Sequence, residues 1–402
     1  MDSLPSQLSS LKLAPGVQRY TLGNWKLQSG QEIPDAHIAF KTFGDPSSPA
    51  IIYPSWFSGA IADNEWLIGE GQVLNPQKYF IIITALFGNG ESTSPSNSSI
   101  SPFPKVTFYD NVRAQHTLVT SHLQITHARA VIGWSMGAGQ TYQWATMYPS
   151  FMDICIPFCG SAKTALHNQV FLEGVKSALL AAKSLSSAGS KEGVVVNGEE
   201  GEVRVWSKEE REVGLKAFGR GYAGWGFSQA FYRAELFKSV LGFKDLEDFM
   251  KNFWEKWALS KGTFYQFSFL SLLLIILTHS HSPRQFTPSI PFQSNTLFQK
   301  TDPENLLTML HTWASGDVSN QSPYNGDFAA AMGAIKAQML VLPGKTDLYF
   351  PPEDSEIEVS LMRPGIGKLD VFPSIWGHWA GGPGDSKEDV KWLNERLAEI
   401  GL

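Results

Sequence analysis

Cysteine is almost missing from this chain: Cys155 and Cys159, in the run CIPFC, are the only two in 402 residues. A disulfide framework is not expected, and with no cluster of histidines beside them they make no metal site. In an apolar run that reads as a buried strand, they behave as small hydrophobes. Basic charge is also short. Lys and Arg number 32 against 38 Asp and Glu, a formal net charge of −6 with pI ≈ 5.9. No Lys/Arg cluster is interleaved with aromatics, so nucleic acid is not an expected partner. The opening residues, MDSLPSQLSSLKLAPG, lack the charged start and apolar stretch of a secretory signal, and a reducing, cytoplasmic location is the expectation.

What is present is apolar bulk. The chain is 43% hydrophobic and 12% aromatic, ample for a large core or a core with a cap. Short apolar runs at 50–55, 79–86, 128–134, 152–159 and 337–344 each suit a buried strand. Plausible helices at 109–123 and 137–149 alternate with them, as in an α/β fold with a mostly parallel sheet flanked by helices. The alternation stops near Gly160 and resumes near Ala337. Residues 1–160 are thus read as the first part of the core, 161–330 as an inserted helical cap over the carboxyl ends of the strands, and 331–402 as the second part of the core.

The chemistry centres on AVIGWSMGAGQ, residues 130–140. Gly-x-Ser-x-Gly between a strand and a helix is the pattern of a nucleophile elbow, which exposes a hydroxyl at a sharp turn. A neutral hydroxyl is a weak nucleophile, so Ser135 needs a histidine to take its proton and a carboxylate to hold that histidine. On this fold the chain order is Ser, then acid, then His. His37, His116, His122 and His127 precede Ser135, and His167, His279, His281 and His311 fall in the cap or its insertion, which leaves His378 in SIWGHWAGGPG. Asp347, in LPGKTDLYFPPEDSE, follows the strand ending in VLPG. Glu353 and Asp354 read as the first turn of a helix, and Asp370 as part of a last strand at 368–373. Two backbone N–H groups must receive the developing oxyanion. Met136 supplies one, and the stretch YPSWFSG the other, with Phe57 preferred over Trp56.

At this point the residues resemble a family. YFIIITALFGNGESTSPSN, YDNVRAQ, GWSMGAGQ and TDLYFPPEDSE are similar to the homoserine O-acetyltransferase-like branch of the α/β-hydrolase fold, over nearly the whole chain. The resemblance implies a triad of Ser135, Asp347 and His378, an acyl-enzyme, no bound cofactor, and acetyl-CoA or another acyl donor as co-substrate. Three positions depart from the transferase pattern. Trp134 and Ala138 stand where the elbow of the transferases has glycine, and Trp379 stands where they carry the aspartate that binds a substrate ammonium. An indole cannot neutralise an ammonium as a carboxylate does. A more apolar ester or alcohol is therefore expected, in a pocket of Trp56, Trp134, Trp379, Trp225 and Phe227, the last two also readable as cap core. Hydrolysis, acyl transfer and a non-catalytic binding role are the alternatives, and monomer and homodimer both stay open.

One segment fits none of this. Residues 262–299 have Arg284 as their only charged side chain, and their apolar heart, 267–277, falls short of the roughly 20 residues of a membrane span. No membrane anchor is expected. Two readings stand: a genuine lid insertion, or a translated, unspliced intron whose removal joins WEKWALSK to KTDPENLL.

Overall fold

A computed structural model of the protein describes residues 13–183, 191–196, 199–204, 206–260, 302–382 and 384–402. The anomalous segment 262–299 lies outside the described residues. Among them no helix is long and apolar enough to cross a membrane.

Among the described residues eight strands form one sheet in the order β1-β2-β4-β3-β5-β6-β9-β10. The central strands are β3 (Ala50–Pro54, AIIYP), β4 (Phe80–Thr84, FIIIT), β5 (Ala128–Trp134, ARAVIGW) and β6 (Met152–Phe158, MDICIPF). They run parallel to one another, and their near-continuous apolar character is what a sheet covered on both faces demands. Alternate residues serve the two faces: Ile51, Tyr53 and Ile132 join one core, while Ile52 and Val131 join the other. Helices α1 (Phe108–Thr117) and α2 (Met136–Met147) follow β4 and β5. At the start of α1, Thr107 and Asp110 cap each other, with Thr107 N–H donating to Asp110 Oδ2 at 3.0 Å.

Two strands carry no signal in the apolar runs. β1 (Gln18–Lys26) and β2 (Glu32–Phe43) form an antiparallel hairpin at the sheet edge, with β2 antiparallel to β4. The edge position explains the miss, because most of β1 is exposed or half-buried and its sequence, QRYTLGNWK, is correspondingly polar. The last strands need a correction. β9 is Gln338–Val341, and β10 covers only Gly367–Leu369. Phe372 joins the sheet by a single bridge to Gly344, so Asp370, expected within a strand, lies just past one and faces Arg396 at 3.6 Å.

Between β6 and β9 the chain builds the cap. Helix α3 (Leu166–Lys183) packs along α4 (Lys208–Gly226), short helical turns follow, and the helix Pro303–Ala314 leads back toward the sheet. The cap is not wholly helical. An antiparallel hairpin of β7 (Lys191–Val196) and β8 (Glu199–Arg204) separates α3 from α4, where consecutive Val194, Val195 and Val196 favour extended backbone.

Candidate active site

β5 ends at Trp134 and α2 begins at Met136, which leaves Ser135 alone at the corner with φ +58° and ψ −123°. A side chain with a Cβ pays for that conformation, on the order of 1–3 kcal/mol. The turn closes only because its neighbours are glycine: a Cβ on Gly133 would lie 2.2 Å from the carbonyl carbon of Gly137, and one on Gly137 would lie 2.6 Å from the Pro54 oxygen. Ala138, where the resemblance implies a further glycine in transferases, is accommodated because Gly160 packs against it.

Three residues far apart in sequence meet here. His378 Nε2 lies 2.8 Å from Ser135 Oγ, and His378 Nδ1 lies 2.8 Å from Asp347 Oδ2. The other carboxylate oxygen, Asp347 Oδ1, accepts the backbone N–H groups of Tyr349 at 2.8 Å and Phe350 at 3.2 Å, which fixes the carboxylate against rotation. Ser135, His378 and Asp347 are only 2%, 2% and 3% exposed, so the trio is screened from bulk water. With Nδ1 facing a carboxylate, the imidazole keeps its proton there and leaves Nε2 free to accept from the serine.

The histidine loop is itself anchored. Gly377 N–H donates to Thr346 Oγ1, Trp376 N–H to Ser374 Oγ, and Ser374 Oγ to Asp389 Oδ2 at 2.6 Å. Gly377 has φ +68°, and a Cβ there would lie 2.6 Å from the backbone nitrogen of Ser228, so the cap rests directly on this loop. Trp134 supports the ring: its indole stacks on the imidazole with centroids 5.0 Å apart, and its Nε1–H donates to the His378 carbonyl at 3.2 Å.

Met136 occupies the first position of α2, where a backbone N–H has no intrahelical acceptor. Phe57 lies in a turn after β3 closed by Gly59 N–H donating to the Trp56 carbonyl at 3.1 Å. Neither the Met136 nor the Phe57 N–H donates to an acceptor among the described residues. Phe57 lines a small, tight cavity with Trp56, Ser58, Trp134, Ser135 and His378 from the core, and Met136 directly follows Ser135 in the chain. Trp379 from the histidine loop and Tyr222 and Trp257 from the cap complete it.

The sequence-derived pocket needs one correction and one addition. Trp225 and Phe227 do not line this cavity. Trp225 packs against Phe171 and Tyr349, and Phe227 is fully buried against Phe231, Trp254 and Trp379; both sit in the aromatic packing between the cap and the core rather than at the cavity. Tyr222 and Trp257 are the cap residues at the cavity. Tyr222 sits one helical turn before Trp225, a spacing that shows a shared stripe but not which residue reaches furthest. Burial, and after it the charge of Asp347, pushes the Cys159 thiol well above its ordinary range, so it is no competing nucleophile. Among the described residues no group of three or more His, Cys, Asp or Glu side chains is placed to hold a metal ion.

Sheet order, strained elbow and hydrogen-bonded trio together define an α/β-hydrolase-fold enzyme of acyl chemistry with a serine nucleophile. No protein-family model matches the chain, but individual relatives do. It is 31% identical to a probable esterase of Corynebacterium glutamicum over 89% of this chain and 88% of that one. It is 30% identical to an ethyl acetate hydrolase of Pseudomonas veronii over 94% and 93%. A homoserine O-acetyltransferase of Methanohalophilus mahii is 31% identical over 39% of this chain and 37% of its own. The solved structure of an acetylester hydrolase from Corynebacterium glutamicum superposes with a TM-score of 0.75 at 30% identity, covering 96% of this chain and 95% of that one. The chain belongs to the homoserine O-acetyltransferase-like branch of the α/β-hydrolase superfamily.

Proposed function

We propose that this enzyme cleaves small acetate-type esters of apolar alcohols through an acyl group carried on Ser135. His378 Nε2 takes the hydroxyl proton as Ser135 Oγ attacks the ester carbonyl, and Asp347 holds the imidazolium that results. The N–H groups of Met136 and Phe57 receive the oxyanion. Collapse expels the alkoxide, which leaves as the alcohol with the proton from His378. Water, activated by the same nitrogen, then attacks the acyl-enzyme and releases the acid.

The observation that carries this reading is the trio Ser135–His378–Asp347 closed beneath a small, tight aromatic cavity. Four indoles, Phe57 and Tyr222 crowd this cavity beside Ser135 and leave little free space, which favours a short acyl group and a short alcohol over bulky ones. The names of the two relatives matched over most of their length, an esterase and an ethyl acetate hydrolase, support the same substrate class. Trp379 supports it too, because no carboxylate stands at that position for a substrate ammonium.

The near-complete burial of the trio favours a second outcome, in which an alcohol rather than water collects the acyl group. Intact-protein mass spectrometry separates the two. After brief exposure to p-nitrophenyl acetate the protein should gain one acetyl group on Ser135. Clearance by water alone marks a hydrolase, and clearance only on adding a small alcohol marks a transferase. Acetyl-CoA tested as the alternative donor should label far more slowly than the ester. No adduct from either donor would sink the reading.

A further inference from the structure

Gln140 is fully buried on α2, one and a half turns past the nucleophile, and it does more than pack. Its Nε2 donates to the Met136 carbonyl at 3.1 Å and to the Ser55 carbonyl at 2.8 Å. These two peptide segments carry the candidate oxyanion donors: Met136 itself on one side, and the stretch leading from Ser55 to Phe57 on the other. Its Oε1 accepts from Gln115 Nε2 at 2.6 Å, and Gln115 Oε1 accepts from Trp144 Nε1 at 2.8 Å. All members of this chain are buried.

The direction of the relay is determined by chemistry. Backbone carbonyls only accept and an indole N–H only donates, so the amide groups of Gln140 and Gln115 can each be oriented one way. Both N–H bonds of Gln140 are spent, one on each segment. A side chain held at both ends in a close-packed core sets the distance between what it joins.

We propose that Gln140 is a positioning residue for the oxyanion hole: it ties the α2 amino terminus to the loop after β3 and so sets the separation of the Met136 and Phe57 N–H groups. This rests on the acyl-Ser135 reading above. Donors that stabilise a developing charge act only at the correct distance, and displacement by about 1 Å is enough to cost on the order of 10²-fold. The loss falls on the transition state rather than on the bound ester.

The test is Gln140→Met, which keeps length and apolar bulk and removes both donors. With p-nitrophenyl acetate, kcat should fall roughly 10- to 100-fold while KM changes by less than about threefold. Inhibition by 1,1,1-trifluoroacetone, whose carbonyl carbon bonds to Ser135 Oγ as its oxygen takes the negative charge, should weaken by the same factor as kcat/KM. A change in core packing alone would not make those two factors agree. An unchanged kcat, or a loss confined to KM with inhibition intact, overturns the proposal. If Gln140→Met does not fold, Gln140→Asn draws the amide back by one methylene and carries the same readings. Acetylation of Ser135 in the unaltered protein is measured first, so its failure overturns the functional reading, whereas normal labelling with an unaffected Gln140 variant overturns only this one.

Discussion

Ser135 holds a backbone conformation that only its surroundings make tolerable, and its hydroxyl lies 2.8 Å from His378 Nε2. Ser135→Ala keeps the Cβ and the turn and removes the nucleophile. Turnover should fall by a factor on the order of 10⁶ with the melting temperature nearly unchanged; activity within tenfold of the unaltered enzyme would remove Ser135 from the mechanism. Trp379 invites the opposite experiment. Trp379→Asp restores the acid that the resemblance implies in transferases, yet the position is enclosed by the rings of Trp134, Phe227, Phe253 and Trp254. The variant should lose stability and still fail to acetylate homoserine from acetyl-CoA, read by thermal melting and by amino-acid analysis. The meeting of Ser135, His378 and Asp347 was legible because chain order, strand ends and glycine spacing constrain them jointly. The pocket was legible only in part: Trp225 and Phe227 share a helix and its flank with Tyr222, and sequence cannot say which aromatic faces the cavity and which the packing between cap and core.

At the scale of elements, the buried runs marked the central strands, while the edge hairpin of β1 and β2 escaped because exposed strands are not obliged to be apolar. One buried acid links two elements. Glu358, on the helix Pro352–Ser360, accepts the Ala162 N–H at 2.6 Å just past the end of β6. Burial pushes its carboxyl up to about 8, against the lowering effect of the Tyr142 hydroxyl and the Ala162 N–H. Because the folded value lies above the ordinary 4.5, the native state holds a proton that the unfolded chain has released. Its contribution to stability is complete below pH 4.5, declines as pH rises toward 8, and is gone above that. Glu358→Gln keeps the acceptor and cannot ionise. Urea midpoints measured from pH 5 to pH 9 should fall less steeply for this variant; identical slopes would mean that Glu358 does not titrate in this window.

For the whole molecule, the cap is a wall of the site as well as its cover: Tyr222 and Trp257 line the cavity, and the backbone of Ser228 abuts Gly377 beside His378. Each of these contacts lies within the described residues, which end at 260 and resume at 302 on that side of the cap. A protein from which 262–299 has been deleted should therefore fold and keep its ester-cleaving activity within a few-fold. Loss of folding or of activity on deletion would instead mark the segment as a working part of the lid, and sequencing of transcripts would show whether a splice junction falls there.

The ring of indoles around Ser135 also has an optical consequence. Trp56, Trp134, Trp257 and Trp379 all border the cavity, and Trp134 lies face to face with His378. Indole emission responds to local polarity and to charge on a stacked ring, so arrival of an ester, acylation of the serine and departure of the alcohol should each alter the intrinsic fluorescence. The enzyme carries its own reporter at the reacting atoms, and stopped-flow emission can follow a single turnover with colourless esters and no added label.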